Sequence, residues 1–260
     1  MRAVTTLGVS GEPGADLSLD RVEIGYLAEG GVEQRVSLAE AVRVGFESCP
    51  PVRRFLSRKG QRHLSGRWWS ATVAGHVGYE SWLERDHLML LDYDLDVVAV
   101  ASQPFWLFWT TAEGEARSHA PDYFARRADG SALVIDCRPD DRIKPRDAVA
   151  FAATERVCEW LGWQYRRLGA ADPVVTGNVR WLSGYRHPRH DRPMLAAALR
   201  EVFATPTALL GGAQAAGDPI AVLPVLFHLL WRQELAVDLT VPLHPLATVT
   251  ASAAVSATAA

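Results

Sequence analysis

The sequence predicts an α/β protein. Apolar residues recur at helical period over 79–91 and again over 145–161, and between these stretches lie four short apolar-rich segments separated by polar or glycine-containing turns. The last of the four carries Leu133, Val134 and Ile135 in succession, as a strand covered on both faces would. A further strand is expected at 163–168. The order helix, strands, helix, strand implies a mixed sheet flanked by helices over roughly 79–168, parallel in part because the second helix can serve as a crossover.

Along the chain, residues 1–47 mix glycine-rich turns with two alternating segments, 21–27 and 34–38, which suggest a hairpin around Gly30-Gly31, and 39–44 can begin a brief helix. Between Glu47 and Glu80 there is no Asp or Glu, while Arg53, Arg54, Arg58, Lys59, Arg62 and Arg67 are interleaved with Phe55, Trp68 and Trp69. Clustered cations beside flat rings suit phosphate contact with base stacking; a basic solvated loop anchored by its aromatics is the plainer reading. The 79–91 helix places Leu83, His87, Leu90 and Leu91 on one stripe, with Glu80 and Glu84 beside it. Strands are expected at 97–101, 105–110, 119–126 and 132–138, with turns at Glu113-Gly114-Glu115 and Asp129-Gly130. Pro145 suits a first helical turn, Val149, Ala153, Val157 and Trp160 continue the helix, and Gly162 stops it. Beyond 179, helices are expected at 194–203, 207–210 and 220–232, followed by a strand at 235–239. Several helices with a short strand pair suggest a small winged-helix-like module. The alanine, serine, threonine and valine residues from 248 on predict a disordered tail. The expected divisions are therefore 1–78, a hairpin and basic segment; 79–178, the α/β core; 179–247, the helical module; and 248–260, the tail.

Composition narrows the function classes. With 260 residues, 48% of them hydrophobic, the chain can bury one substantial core or two smaller ones. The longest apolar run, 220–231, contains His228 and falls short of the ~20 residues that span a bilayer. The first residues lack a charged stretch followed by a long apolar run, so cytoplasmic residence is expected. Cys49, Cys137 and Cys158 are too scattered for a disulfide framework or a zinc knuckle. No Gly-x-Ser-x-Gly, phosphate-binding loop or dinucleotide fingerprint occurs, so acyl transfer, ATP hydrolysis and hydride transfer have no support. Asp92-Tyr93-Asp94-Leu95-Asp96 is not a calcium loop, because Val97 and Gln103 stand where glycine and glutamate are needed. His187 and His190, beside Pro188, read as loop residues.

The acids that can carry chemistry are Asp122, at the start of one expected strand, and Asp136, near the end of the next. Hairpin strands bring both to one end of the sheet, and Glu84 on the preceding helix can add a third acid. Three oxygen donors with open water positions suit Mg2+. Such a cation activates water and neutralises charge on a phosphate under attack. Asp136 directly follows an apolar run, where a charge needs a partner or a metal.

Pro121-Asp122 followed by Asp136-x-Arg138 resembles the PD-(D/E)xK signature of restriction-endonuclease-like nucleases. More narrowly, Ser81-Trp82-Leu83-Glu84, Gln103-Pro104-Phe105, Pro121-Asp122-Tyr123-Phe124 and Ile135-Asp136-Cys137-Arg138-Pro139 resemble, in order and spacing, the catalytic domain of TnsA-like transposase endonucleases. The resemblance covers mainly 79–168, and the spacing to Gln103 favours Glu84 over Glu80. It implies a restriction-endonuclease-like sheet, with Glu84, Asp122 and Asp136 as Mg2+ ligands, Mn2+ able to substitute, and the Cys137 carbonyl as a further oxygen. It also implies cleavage of one DNA strand at transposon ends, alongside an integrase-type transposase and an ATPase regulator. Arg138 stands where the family has lysine. An arginine, with a pKa above ~12, stabilises phosphate charge but does not accept a proton; Lys144 is a candidate substitute. Defence or repair nuclease, or a non-catalytic DNA-binding or assembly subunit of the same fold, are the competing expectations.

Overall fold

The structure is a computed structural model that describes residues 17–53, 65–111 and 113–252. In chain order its elements begin with β1 (Glu23–Leu27), β2 (Glu33–Ser37) and α1 (Leu38–Ala41). Next come β3 (Gly66–Ser70), β4 (Gly75–Tyr79), α2 (Trp82–Tyr93), β5 (Val97–Ser102), β6 (Phe105–Thr110), β7 (Ala116–His119), β8 (Tyr123–Arg127) and β9 (Ala132–Cys137). The remainder is α3 (Pro145–Leu161), β10 (Gln164–Leu168), α4 (Pro173–Ser183), α5 (Pro193–Val202), β11 (Thr207–Ala208), α6 (Leu209–Ala216), α7 (Pro219–Trp231), β12 (Leu235–Val237) and β13 (Thr248–Ala251). The α/β class expected from the sequence is observed. One sheet has the order β2-β1-β6-β7, a second β10-β9-β8-β5, a third β11-β13-β12, and β3 pairs with β4.

The described residues form two compact units, each gathered from separate stretches: those within 1–54, 101–124 and 131–167 make the first, and those within 55–100, 125–130 and 168–260 the second. In the first, β1 and β2 form the expected hairpin, with Gly30 and Gly31 at φ +80° and +78° in the turn, a conformation that glycine adopts without a Cβ penalty. β1 also pairs with β6, Ile24 opposite Leu107. Gly25 lies over the Phe108 ring, where an added Cβ would come within 2.8 Å of a ring carbon. The core joins Ile24 and Leu107 to Phe124 of β8, Val134 of β9 and Val157 of α3. Phe46 sits at its centre, edge-on to Phe105 and Trp163. Helix α3 begins on Pro145 and ends where Gly162 takes φ +72° as C-cap. The strands on either side of this 17-residue helix, β9 and β10, are sheet neighbours.

In the second unit the β3–β4 hairpin is tied to α2 through Asp92, whose carboxylate accepts from Trp68 Nε1 (2.8 Å), Ser70 Oγ (2.6 Å) and Thr72 N (2.9 Å). The apolar core gathers Met89, Leu182, Leu199, Leu226 and Val249. Asn178 of α4 fixes the segment after β12, donating to the carbonyls of Leu239 and Val241 and accepting from Leu243 N. Helix α5 leads into β11, then α6, α7, β12 and β13, with β13 central in the sheet. Among the described residues no helix is long and apolar enough to cross a membrane.

Three local expectations need correction. The strand expected at 119–126 is broken at Ala120-Pro121 into β7 and β8, because proline has no N–H for a ladder. The helix expected at 207–210 starts as strand β11, whose Thr207 and Ala208 pair with Val249 and Thr248. The tail expected to be disordered from 248 instead opens with β13, Val249 fully buried and Ala251 N bonded to Phe203 O at 2.9 Å; residues 253–260 of that tail lie outside the described residues. Strands β3 and β4 and helix α4 were not anticipated.

Candidate active site

In the first unit the backbone is unusually constrained just before the acids. Gln103, 1% exposed, has φ +45°, and its N–H donates to Asp122 O while its carbonyl accepts from Val52 N, both at 2.9 Å. A left-handed conformation at a non-glycine residue costs energy and persists only where its surroundings fix it. Here it fixes the chain entering β8. Asp122 follows Pro121 at that entry, and its Oδ2 accepts from Cys137 N at 2.7 Å. The acid at the start of β8 therefore touches the backbone of the residue after Asp136, so Asp122 and Asp136 lie side by side on neighbouring strands.

Asp136 is 2% exposed. A carboxyl so buried needs hydrogen-bond partners, and two side chains supply them. His119 Nε2 lies 2.8 Å from one oxygen and 3.0 Å from the other. Tyr165 Oη donates to Oδ2 at 2.9 Å. Burial, and then the Asp136 charge beside it, push the Tyr165 hydroxyl above its ordinary range, so it stays protonated and keeps donating. The same two causes raise the Cys158 thiol, leaving it an unreactive core residue. Neither His119 nor Tyr165 was singled out from the sequence. The signal for His119 was its place three residues before Asp122; for Tyr165 there was none beyond its position on the next strand, because only packing brings it to Asp136.

The other expected site residues divide clearly. Arg138 is about half exposed, with Nε 3.8 Å from Asp147 Oδ2, and its carbonyl accepts from Arg167 Nη1 at 3.1 Å. Lys144 is exposed ahead of α3, its N–H on Asp147 Oδ2 at 3.2 Å. Cys137 is half-buried. Glu84 belongs to the second unit and lies in the N-terminal cap of α2: its N–H donates to Ser81 Oγ (3.1 Å), while its carboxylate accepts from Ser81 Oγ (2.8 Å) and Glu80 N (2.7 Å). Among the described residues no three His, Cys, Asp or Glu side chains form a ready-made cation cage.

Of the basic segment, Arg54, Arg58, Lys59 and Arg62 lie outside the described residues, as does Phe55. Arg53 is exposed, as is Arg67 on β3. The Trp68 ring carries the Arg186 guanidinium at 4.0 Å, and Trp69 stacks on His187 with centroids 4.7 Å apart. These two rings thus pack within their own unit.

The chain matches no protein-family model and no curated protein.

Proposed function

We propose that this chain is a divalent-metal-dependent DNA endonuclease subunit with a restriction-endonuclease-like core, of the kind that cleaves one strand at transposon ends within a heteromeric transposase. The observation that carries it is the pairing of Asp122 with the Asp136-Cys137 backbone on adjacent strands. The order α2, β5, β6, β7, β8, β9, α3, β10, with β10-β9-β8-β5 as one sheet, supports the restriction-endonuclease-like reading. The order α5, β11, α6, α7, β12, β13 supports a winged-helix reading of the C-terminal module.

The donor set fits a hard cation. Mg2+ commonly binds through one or two carboxylates, keeps several waters and completes its shell on substrate phosphates, so it does not require a three-acid cage. Asp122 and Asp136 would hold it, with the Cys137 carbonyl adding an oxygen. When bound, such a cation supplies an activated water and neutralises charge on the phosphate. The chain's own groups do the positioning. Tyr165 and His119 hold the Asp136 carboxyl in place, and the buried Gln103 backbone holds Asp122 at the start of β8. Arg138 can meet phosphate charge but not take a proton. DNA would be gathered by Arg53, Arg54, Arg58, Lys59, Arg62 and Arg67, and the partners would be an integrase-type transposase and an ATPase regulator.

The test is calorimetric titration of Mg2+ and Mn2+ into the wild-type protein and Asp122→Asn, followed by nicking of end-containing DNA with a partner transposase. Binding in the wild type and its loss in the variant are expected; binding unchanged in Asp122→Asn would overturn the site. A specific observation favours a second reading, a non-catalytic DNA-binding subunit: the Arg138 guanidinium faces Asp147, and its carbonyl is taken by Arg167. Metal bound without nicking by the reconstituted complex would select it.

A further inference from the structure

We infer that the cleft between α3 and β10 is a subsite for one unstacked nucleobase with an exocyclic amino group, cytosine or adenine, and that Glu155 is the acceptor that selects it; this rests on the DNA-cleaving reading above. The cleft encloses about 350 Å3. That is the lower end of the range for ligand pockets, about 300–1,000 Å3, and suits one base rather than a duplex. Ala148, Phe151, Ala152 and Glu155 line it from α3, at the spacing that puts them on one face of the helix. Tyr165 and Arg167, alternate residues of β10, line the other side.

Three contacts tie the cleft to the acids. The Tyr165 ring forms part of its wall, while the Tyr165 hydroxyl donates to Asp136 Oδ2. Phe151 lines it and meets the His119 ring edge-on, and His119 in turn holds Asp136. Arg167 donates to the carbonyl of Arg138, two residues after Asp136. A base in the cleft therefore lies beside the strand end that carries Asp136, where the nucleotide adjoining a phosphate under attack would be.

The lining decides which part of a nucleotide enters. Glu155 is exposed and, among the described residues, has no hydrogen-bond donor or cation paired with it. A carboxylate repels phosphate but accepts from the amino group of a base, and thymine has no amino group to offer. Arg167 is engaged by the Arg138 carbonyl and by Asp140, which offsets its charge and leaves further donors for a ring carbonyl. Phe151 and Tyr165 supply flat apolar surface on which a base stacks. Entry requires the base to leave its own stack, which is least costly in a single strand.

The experiment measures fluorescence anisotropy of short single strands of deoxycytidine and of thymidine, two pyrimidines of similar size, with the full chain. The wild type should bind the deoxycytidine strand about tenfold tighter, the scale of a good base-edge contact. In Glu155→Ala, a change at an exposed helical position to the best helix former, that ratio should fall to about one. The ratio is the readout because loss of a negative charge raises affinity for both strands alike. Photochemical cross-linking of a strand carrying 5-iododeoxycytidine, mapped by mass spectrometry, should fall on Phe151 or Tyr165. Equal binding of the two strands by the wild type, a ratio unchanged in Glu155→Ala, or cross-links to neither residue overturns the inference and leaves the endonuclease reading standing. No binding of either strand or of duplex DNA overturns both.

Discussion

At the scale of single residues, this protein places a few polar groups where burial makes their partners decisive. Asp136 and Asp92 are both buried acids, yet their surroundings differ in kind. Asp92 is enclosed by Trp68, Ser70 and Thr72 of one hairpin and acts as a structural tie. Asp136 is met by a histidine and a tyrosine from other strands, beside a second acid. Removing a partner from a buried acceptor costs more than the hydrogen bond itself contributes, about 1–3 kcal/mol. Tyr165→Phe should therefore lower stability by about that amount in urea unfolding, with the slope of the transition unchanged. If Asp136 holds a cation as proposed, the same change should also weaken Mn2+ binding through a less firmly oriented Asp136. A variant as stable as the wild type would show that Tyr165 is not holding that carboxylate.

At the scale of elements, helices with period and punctuation were the most legible parts. α3 runs Pro145–Leu161, the same bounds as its apolar period, because proline suits its first turn and Gly162 its left-handed cap. The β1–β2 hairpin was legible from alternation and paired glycines. Short strands were not. β11 has two residues and β13 four, and both are defined by each other rather than by local propensity. A chain ending at Ala247 would lack β13, the middle strand between β11 and β12, and would expose the apolar surface that Val249 covers. Such a chain should lose about 3 kcal/mol or more, from buried valine and lost backbone pairing together. Thermal unfolding by circular dichroism measures this; an unchanged midpoint would mean that β13 contributes nothing.

At the scale of the whole molecule, a formal net charge of −3 sits on a chain whose stretch between Glu47 and Glu80 carries Lys and Arg but no Asp or Glu. If those cations contact phosphates, DNA affinity must fall steeply with salt, because each neutralised phosphate releases counterions. Replacing Arg67 by Gln should reduce the slope of log affinity against log salt by about 1, equally for end-containing and unrelated DNA. Fluorescence anisotropy across a salt series measures this, and an unchanged slope would remove Arg67 from the DNA-contacting set. Trp68 and Trp69 belong to the packing of their unit, so no loss of base stacking is expected from the Arg67 change itself.

The sequence by itself determined the α/β class, the helices α2 and α3, the N-terminal hairpin and the pair of acids, Asp122 and Asp136, at the ends of consecutive strands. Those features are local: period, punctuation and a charge placed against an apolar run reveal them without knowledge of neighbours. Only the tertiary structure decided that Asp136 is held by His119 and Tyr165, and that β13 completes a sheet with strands more than ten residues away. It likewise decided that Glu84 caps its own helix and that the compact units are assembled from interleaved stretches of chain. The physical reason is the same in each case. A hydrogen bond or strand pairing between distant residues leaves no periodic trace in either segment, because what makes it favourable is the removal of both partners from water at one place in the folded chain.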